Sequence, residues 1–251
     1  MANPSAWLRE APLVIAHRGA SHRAPENTLE AFRLALEEGA DGVELDAKLT
    51  ADGAVIVLHD PTLGRTTDGR GRPGEINLEQ IQRLDAGSWK GTMFRGARVP
   101  TLQAVFAELG QRLLFNVELT NYQTPEDALV EHVVDVVKAM GMESRVLLSS
   151  FFRRNLAQAR RRAPDIPLGH LVGPTRLAAV DWWKGVDVAT EAIHPFRSLA
   201  SRLLVRRWHA QGRRVIVYTV NEAADMRYLL DIGVDGMITD DPRLARATVG
   251  R

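Results

Sequence analysis

Two histidines and two carboxylates provide the side chains of a hydrolytic site. His17 and His59 each end an apolar run, and Glu44 and Asp46 belong to an acidic stretch between them. Histidine has an unperturbed pKa of about 6.5, so a pair could both take up and release protons near neutral pH. Carboxylate oxygens are the ligands that hard cations prefer. Together the four residues indicate hydrolysis assisted by a divalent metal.

The acidic residues are spaced so that one metal ion could bind them. Glu44 and Asp46 are two residues apart on a predicted strand. Their side chains therefore point to the same face, roughly 6.6 Å apart along the chain. If the two carboxylates faced the helices, they would be buried against apolar side chains without partners, which is costly. If they face the mouth of the barrel, a cation can neutralise them. Glu118 lies in the next predicted barrel strand. The oxygen-rich set predicts Mg²⁺ or Ca²⁺; it also suits Mn²⁺, and zinc is less expected despite His17 nearby.

Further polar groups follow the first histidine. Arg18 could clamp phosphate oxygens bidentately, although a simple salt bridge with one of the acids is the alternative. The run 25–28 opens the first predicted helix and adds Glu26 at the same rim. Histidines on two sides of a phosphate would act as general base and general acid, and the order of the two is open.

Apolar, β-branched runs alternate with helix-period stretches along the 251 residues. This is the pattern of repeated βα units around a parallel sheet, and a (β/α)8 barrel typically has about 250 residues. Strands are predicted at 13–17, 42–49, 55–59, 113–119, 146–150, 168–172, 186–192, 215–220 and 236–239. Helices are predicted at 28–38, 101–110, 125–140, 154–163, 198–211 and 222–232.

Nine strands are one too many for that barrel. The turn 50–53 is too short for a parallel crossover and carries the hairpin signal Asp52-Gly53, so strand 55–59 should fold back antiparallel on the second strand. The fold class is therefore an α/β TIM barrel with a hairpin extension after strand 2, which brings His59 level with the acids. The glycine-rich stretch 60–100 is predicted to be a small inserted cap within a single domain, 1–251.

Composition excludes several classes of protein. The net charge of +1 gives no overall field for nucleic acid or an anionic membrane, and 45% hydrophobic with 25% charged residues is ordinary for a globular domain. The absence of cysteine excludes thiolate metal sites and a cysteine nucleophile. We see no signal peptide and no membrane-spanning run, so a cytoplasmic enzyme with a small-molecule substrate is expected. The oligomeric state stays open.

From about residue 13 to 242 the chain resembles the glycerophosphodiester phosphodiesterase family. The matching motifs, in order, are His17-Arg18-Gly19, Pro25-Glu26-Asn27-Thr28, Glu44-Leu45-Asp46, residues 50–53, His59-Asp60, Tyr218-Thr219-Val220-Asn221 and residues 233–240. The segments Arg65-Thr66-Thr67, 84–87 and 99–102 are similar to the family's insertion.

The resemblance implies a divalent-metal hydrolase that splits glycerophosphodiesters into an alcohol and sn-glycerol 3-phosphate. It implies that the substrate's glycerol hydroxyl attacks first, giving a cyclic phosphate that water opens. The implied metal ligands are Glu44, Asp46 and Glu118. The implied acid-base pair is His17 and His59, and Arg18 is the implied phosphate contact. The full set of expected substrate contacts is Arg18, Glu26, His194 and Tyr218. Glu26 could instead bind the metal or support its ligands, and His194 is expected from its position in the sequence rather than from the resemblance.

Two positions depart from the family's pattern. The family often has a lysine two residues after the third acid, where this chain has Thr120, and often a tryptophan where this chain has Tyr218. His194 is expected just past the seventh strand, at the rim of the site.

Alternative functions are a lysophospholipase D-type phosphodiesterase acting on a lipid, and a non-catalytic barrel that binds phosphate esters.

Overall fold

A closed parallel barrel forms the centre of the computed structural model, which describes Trp7, residues 12–174 and residues 188–250. The strands of the described residues are β1 (Leu13–His17), β2 (Gly42–Leu49), β3 (Val55–Val57), β4 (Leu114–Leu119), β5 (Val146–Ser150), β6 (Leu168–Val172), β7 (Ala192–Pro195), β8 (Arg214–Val217) and β9 (Gly236–Thr239). Their order is β1-β9-β8-β7-β6-β5-β4-β2-β3, and pairing of β1 with β2 closes the ring. All neighbours pair in parallel except β3, which is antiparallel to β2. The predicted TIM barrel and its hairpin are confirmed.

Helices connect the strands. Within the described residues they are α1 (Leu29–Glu37), α2 (Leu78–Ile81), α3 (Leu102–Leu109), α4 (Leu129–Ala139), α5 (Arg153–Arg162), α6 (Arg202–Ala210), α7 (Ala223–Asp231) and α8 (Pro242–Val249). The side chains of Thr28, Thr101, Ser201 and Asp241 accept hydrogen bonds from the first turns of the helices that they precede. No helix in these ranges is long and apolar enough to cross a membrane.

Two elements differ from the sequence prediction. The seventh strand was expected at 186–192, but β7 begins at Ala192; residues 186 and 187 lie outside the described residues. An apolar run does not by itself show which residues pair with the adjacent strands, so the sequence pattern does not locate the beginning of β7. Helix α8 was not predicted, although Asp241 as the cap and Pro242 as the first helical residue are a helix-start signal.

The barrel interior has an apolar floor beneath a polar mouth. The buried floor contains Trp7, Leu13, Ile15, Leu114, Leu147, Ala192, Ile216 and Ile238. Because side chains alternate along a strand, His17 follows Leu13 and Ile15 on the inward face of β1. The polar side chains therefore begin at the carboxyl ends of the strands, where barrel enzymes place their active sites.

The segment 60–100 packs through a small core of its own. Leu63, Ile81, Ala86 and Val99 form a buried cluster with Ile56 of β3 and Leu58. The segment contains α2 and two single-turn 3₁₀ helices, Pro73–Glu75 and Thr92–Phe94. Because the cluster uses residues from the hairpin, the segment is attached to the barrel at the strand that leads to His59.

Gly42 lets β2 and β4 approach each other closely beneath the acidic residues. A Cβ at this position would lie 2.7 Å from the carbonyl oxygen of Leu114, a backbone atom that cannot rotate away. We expect Gly42→Ala to lower the free energy of unfolding by about 1–3 kcal/mol, the usual range for overpacking. Urea unfolding measures the change. Gly91→Ala, where the nearest atom is 3.9 Å away, is the matched control; equal stabilities of the two variants would contradict the prediction.

Candidate active site

Three carboxylates meet at the mouth of the barrel. Glu44 and Asp46 extend from the inward face of β2, and Asp46 pairs in register with Glu118 on β4. One ligand oxygen from each lies within 4.8 Å of the others. Glu44 Oε1 and Asp46 Oδ1 are buried and have no hydrogen-bond partner in the described parts of the chain. Orphaned buried oxygens of this kind fit a hard cation, because ligation would satisfy them.

The electrostatics of the cluster support the same conclusion. Burial, together with the charge of Asp46, raises the pKa of Glu118 to about 8. Burial and the charges of Asp46 and Glu118 also raise the pKa of Glu44 well above its ordinary value. Three carboxylates so close together, two of them buried and one partly buried, repel one another when ionised. A divalent cation would remove this repulsion, so the donor set fits the expected metal.

His17 lies beside the carboxylates and is held by an aspartate. Its Nδ1 is 2.6 Å from Asp240 Oδ1, and its Nε2 is 3.9 Å from Glu44 Oε2. Asp240 also accepts hydrogen bonds from Ser21 and Asn221. Burial opposes ionisation of Asp240, but the hydrogen bond and charge of His17 outweigh it and lower the pKa to about 2. A carboxylate at Nδ1 favours the tautomer that leaves Nε2 available for proton transfer.

His59 has the same kind of partner. Its Nδ1 is 2.7 Å from Asp60 Oδ1, and Asp60 is paired in turn with Arg65 at 2.6 Å. The hydrogen bond from Arg65 is the main reason that the pKa of Asp60 falls to about 2, and His59 contributes as well. Both histidines therefore direct Nδ1 to an ionised aspartate, an arrangement that suits a general acid and a general base.

A chain of ion pairs joins the second histidine to the carboxylates. Arg65 reaches Glu26 at 2.7 Å, and Glu26 accepts from Arg18 at 2.8 Å. Arg18 Nε then lies 3.2 Å from Asp46 Oδ2. Burial opposes ionisation of Glu26, but the hydrogen bonds and charges of both arginines lower its pKa to about 2. Arg18 and Glu26, expected as substrate contacts, thus bind each other in this structure.

The backbone around Arg18 takes an uncommon shape. Arg18 (φ 57°), Gly19 (φ 84°) and Asn27 (φ 59°) all lie in the left-handed region. Asn27 donates its backbone N–H to the carbonyl of Arg18 and its side-chain amide to Asp46 Oδ2 at 2.8 Å. Left-handed non-glycine residues are concentrated at functional sites. The loop holds the first histidine motif against the second acidic ligand.

Aromatic rings follow β4, β5, β7 and β8 at the mouth of the barrel. Tyr218 follows β8 and packs edge-on against Phe151 and Phe196, with ring centroids 6.2 and 5.8 Å apart. Tyr122 donates its hydroxyl to Glu118 Oε1 at 2.8 Å. These rings form an apolar wall beside the acidic cluster.

The predicted place of His194 is wrong. It is the third residue of β7, fully buried, and neither ring nitrogen has a hydrogen-bond partner among residues 12–174 and 188–250. Burial lowers its pKa to about 3, and the neighbouring His170 contributes. The shift of β7 along the chain moved this histidine from the expected rim into the barrel. An imidazole without exposed surface supports no contact with substrate.

Several residues around the site were not assigned roles from the sequence. Asp60 and Asp240 were read only as parts of motifs, and no role was given to Arg65, Lys48 or Tyr122. A histidine followed by aspartate was a usable signal for Asp60. The partnership of Asp240 with His17 spans 223 positions, so only the closure of the barrel reveals it.

The fold and the site define a barrel hydrolase, with paired histidines and clustered carboxylates at the carboxyl ends of its strands. Residues 17–244 match the sequence profile of the glycerophosphoryl diester phosphodiesterase family. The chain belongs to this family, which confirms the resemblance, and it is an enzyme that hydrolyses glycerophosphodiesters.

Individual relatives agree along nearly the whole chain. A glycerophosphodiester phosphodiesterase of Caldanaerobacter subterraneus subsp. tengcongensis is 39% identical over 232 residues, 92% of this chain and 94% of the relative. One from Bacillus altitudinis is 34% identical over 91% of this chain and 94% of the relative. A phosphodiesterase of Oleispira antarctica, solved in complex with the product sn-glycerol-3-phosphate, superposes with a TM-score of 0.84 at 31% identity, covering 96% of this chain and 98% of that one.

Metal binding should depend on pH because protons and metal compete for the same carboxylates. Without metal, the folded chain keeps Glu118 protonated up to about pH 8, whereas in the unfolded chain its pKa is 4.5. The folded state then binds more protons than the unfolded state, so the free energy of unfolding falls as pH rises through this window. Metal binds the ionised form and should reverse the loss.

The measurement is the melting temperature with EDTA and with Mg²⁺, at about pH 5.5 and about pH 8. We expect a larger stabilisation by Mg²⁺ at the higher pH. Glu118→Gln, which cannot ionise, should lose most of this difference. An equal rise in melting temperature at both pH values would contradict the prediction.

Asp240 should matter because it orients His17. Asp240→Asn keeps the shape of the side chain but removes the negative charge and allows the wrong tautomer, so kcat for glycerophosphodiester hydrolysis should fall by about tenfold or more. Asp235→Asn is the matched control, because Asp235 binds His209 at 2.7 Å just before β9, at the opposite end of the barrel. A kcat within about twofold of the unaltered enzyme would exclude the orienting role.

Proposed function

We propose that the protein cleaves glycerophosphodiesters to an alcohol and sn-glycerol 3-phosphate in a metal-dependent reaction with two histidines as acid and base. The observation that carries the proposal is the juxtaposition of the three carboxylates with two aspartate-bound histidines. Glu44, Asp46 and Glu118 would hold the divalent cation. When bound, the cation would neutralise phosphate charge and make phosphorus easier to attack.

The histidines divide the proton transfers between them. One imidazole takes the proton from the attacking hydroxyl as the new P–O bond forms. The other donates a proton to the leaving alkoxide as the old P–O bond breaks. In a second step, the roles reverse while water opens the cyclic phosphate, and both imidazoles return to their starting states. Asp60 and Asp240 stabilise whichever imidazole carries the extra proton.

Arg18 and Tyr218 are the proposed substrate contacts. Arg18 is ion-paired through Nη1 and Nε, and we expect its remaining donors to bind a phosphate oxygen. Tyr218, in the aromatic wall, would pack against the carbon atoms of the glycerol group. Glu26 acts by holding Arg18 and Arg65 in place rather than by touching substrate.

The test is release of sn-glycerol 3-phosphate from glycerophosphocholine, measured with Mg²⁺, Ca²⁺ or Mn²⁺ and after chelation. We expect EDTA to abolish activity, and His17→Ala and His59→Ala each to lower kcat by at least about 10²-fold. The control is His209→Gln, which breaks a histidine-aspartate pair remote from the mouth.

Three outcomes would contradict the proposal. Activity unaffected by EDTA would exclude the metal, and full activity of either histidine variant would exclude the acid-base pair. Faster cleavage of micellar lysophospholipid than of the soluble diester would instead favour the lipid-directed alternative.

A further inference from the structure

Lys48 places a cation at the mouth that none of the roles above includes. It lies on β2 two residues beyond Asp46, so both side chains leave the same face of the strand. Asp46 pairs with Glu118, and the same register two residues further on brings Lys48 opposite Thr120. The ammonium donates to the carbonyl oxygen of Thr120 at 3.0 Å and to its hydroxyl at 3.1 Å.

The hydrogen bonds of Lys48 differ from those of the neighbouring arginines. Arg18 and Arg65 are each paired with carboxylates, whereas Lys48 donates only to neutral oxygens of Thr120. An ammonium has three donors, and in the described part of the chain the third has no partner. Four carboxylates are within electrostatic range of Lys48, and the two hydrogen bonds of its ammonium go to none of them: Asp46, Glu118, Asp60 and Asp127. Its charge is therefore available to an anionic ligand.

Open space for such a ligand lies beside Lys48. A cleft of about 440 Å³ runs between the segment after β3 and the loop after β4, and Lys48, His59, Thr120 and Tyr122 contribute to its wall. His59 is the proposed proton carrier, and Tyr122 binds Glu118. Lys48 and Tyr122 therefore connect this cleft with the acidic cluster, because Lys48 shares the strand of Asp46 and Tyr122 binds Glu118.

Thr120 explains why a lysine fits on β2. Its hydroxyl donates to the carbonyl of Ala47 at 2.7 Å and accepts from Lys48, which holds the short side chain flat against β2. Position 120 is the one at which members of the family often have a lysine. In this chain the ammonium at this place belongs to Lys48, which donates hydrogen bonds to the carbonyl oxygen and the hydroxyl of Thr120.

We propose that Lys48 supplies from β2 the cation expected directly after β4, and that its ammonium binds a non-bridging oxygen of the substrate phosphate. The proposal rests on the proposed function, because it places the phosphate beside the carboxylate cluster. Lys48 is then a substrate contact that determines affinity for the phosphate group, and Thr120 positions it.

The experiment is titration calorimetry of sn-glycerol 3-phosphate into the Mg²⁺-loaded protein, alongside steady-state kinetics. Losing a hydrogen bond to a charged group should weaken product binding in Lys48→Met by about tenfold or more. KM should rise more than kcat falls. Lys48→Arg should keep most of the affinity. Lys48→Thr alone should lose product binding. The double variant Lys48→Thr with Thr120→Lys, which places the cation at position 120, should restore it.

Direct titration of Mg²⁺ separates phosphate binding from an effect on the metal site. Removing a nearby cation should leave Mg²⁺ affinity unchanged or make it tighter. Product affinity of Lys48→Met within twofold of the unaltered protein would overturn the proposal. So would a loss in Lys48→Thr that the double variant fails to restore, because Lys48 would then only support the loop after β4. A failure of the unaltered protein to hydrolyse any glycerophosphodiester would instead refute the proposed function, independently of Lys48.

Discussion

Mutual repulsion among Glu44, Asp46 and Glu118 is the constraint on which the other features of the mouth depend. Three carboxylates on two adjacent strands, two of them buried, are unfavourable unless positive charge compensates them. Cationic side chains lie nearby: Arg18 is ion-paired with Asp46, and Lys48, two residues beyond Asp46 on β2, bonds Thr120. Folding alone provides only part of this compensation, because two carboxylate oxygens stay without a partner in the described residues. Oxygens left in this way are the kind that would ligate a hard cation.

The acidic cluster and the histidines form one electrostatic unit. Asp60, Arg65, Glu26 and Arg18 link His59 to Asp46 through alternating charges, and these residues come from the segment after β3 and the loop after β1. Low dielectric at the barrel mouth strengthens such pairs and makes an unpaired member costly. The network therefore ties the position of His59 to that of the acidic cluster through these intermediate residues.

Much of this arrangement could be predicted from local pattern, and the remainder required closure of the barrel. Strand alternation placed Glu44 and Asp46 on one face, and the short turn before β3 identified the hairpin. The beginning of β7 could not be found, because apolar runs do not reveal register, and His194 was misplaced with it. The bond between His17 and Asp240 joins the two ends of the chain. The role of Lys48 does not follow from local pattern, because its partner Thr120 is distant in the sequence, directly after β4.

The hairpin has a consequence for how the enzyme loses activity. His59 follows β3, which pairs with β2 alone among the described strands. Ile56 of β3 packs in the small apolar core of the segment 60–100, whereas Val55 and Val57 pack in the main core. A strand with one paired neighbour opens at lower free energy than the structure as a whole. Amide hydrogens of β3 should thus exchange before those of β4. His59 would leave the site while the carboxylates stay assembled, so heat would inactivate the enzyme before it unfolds.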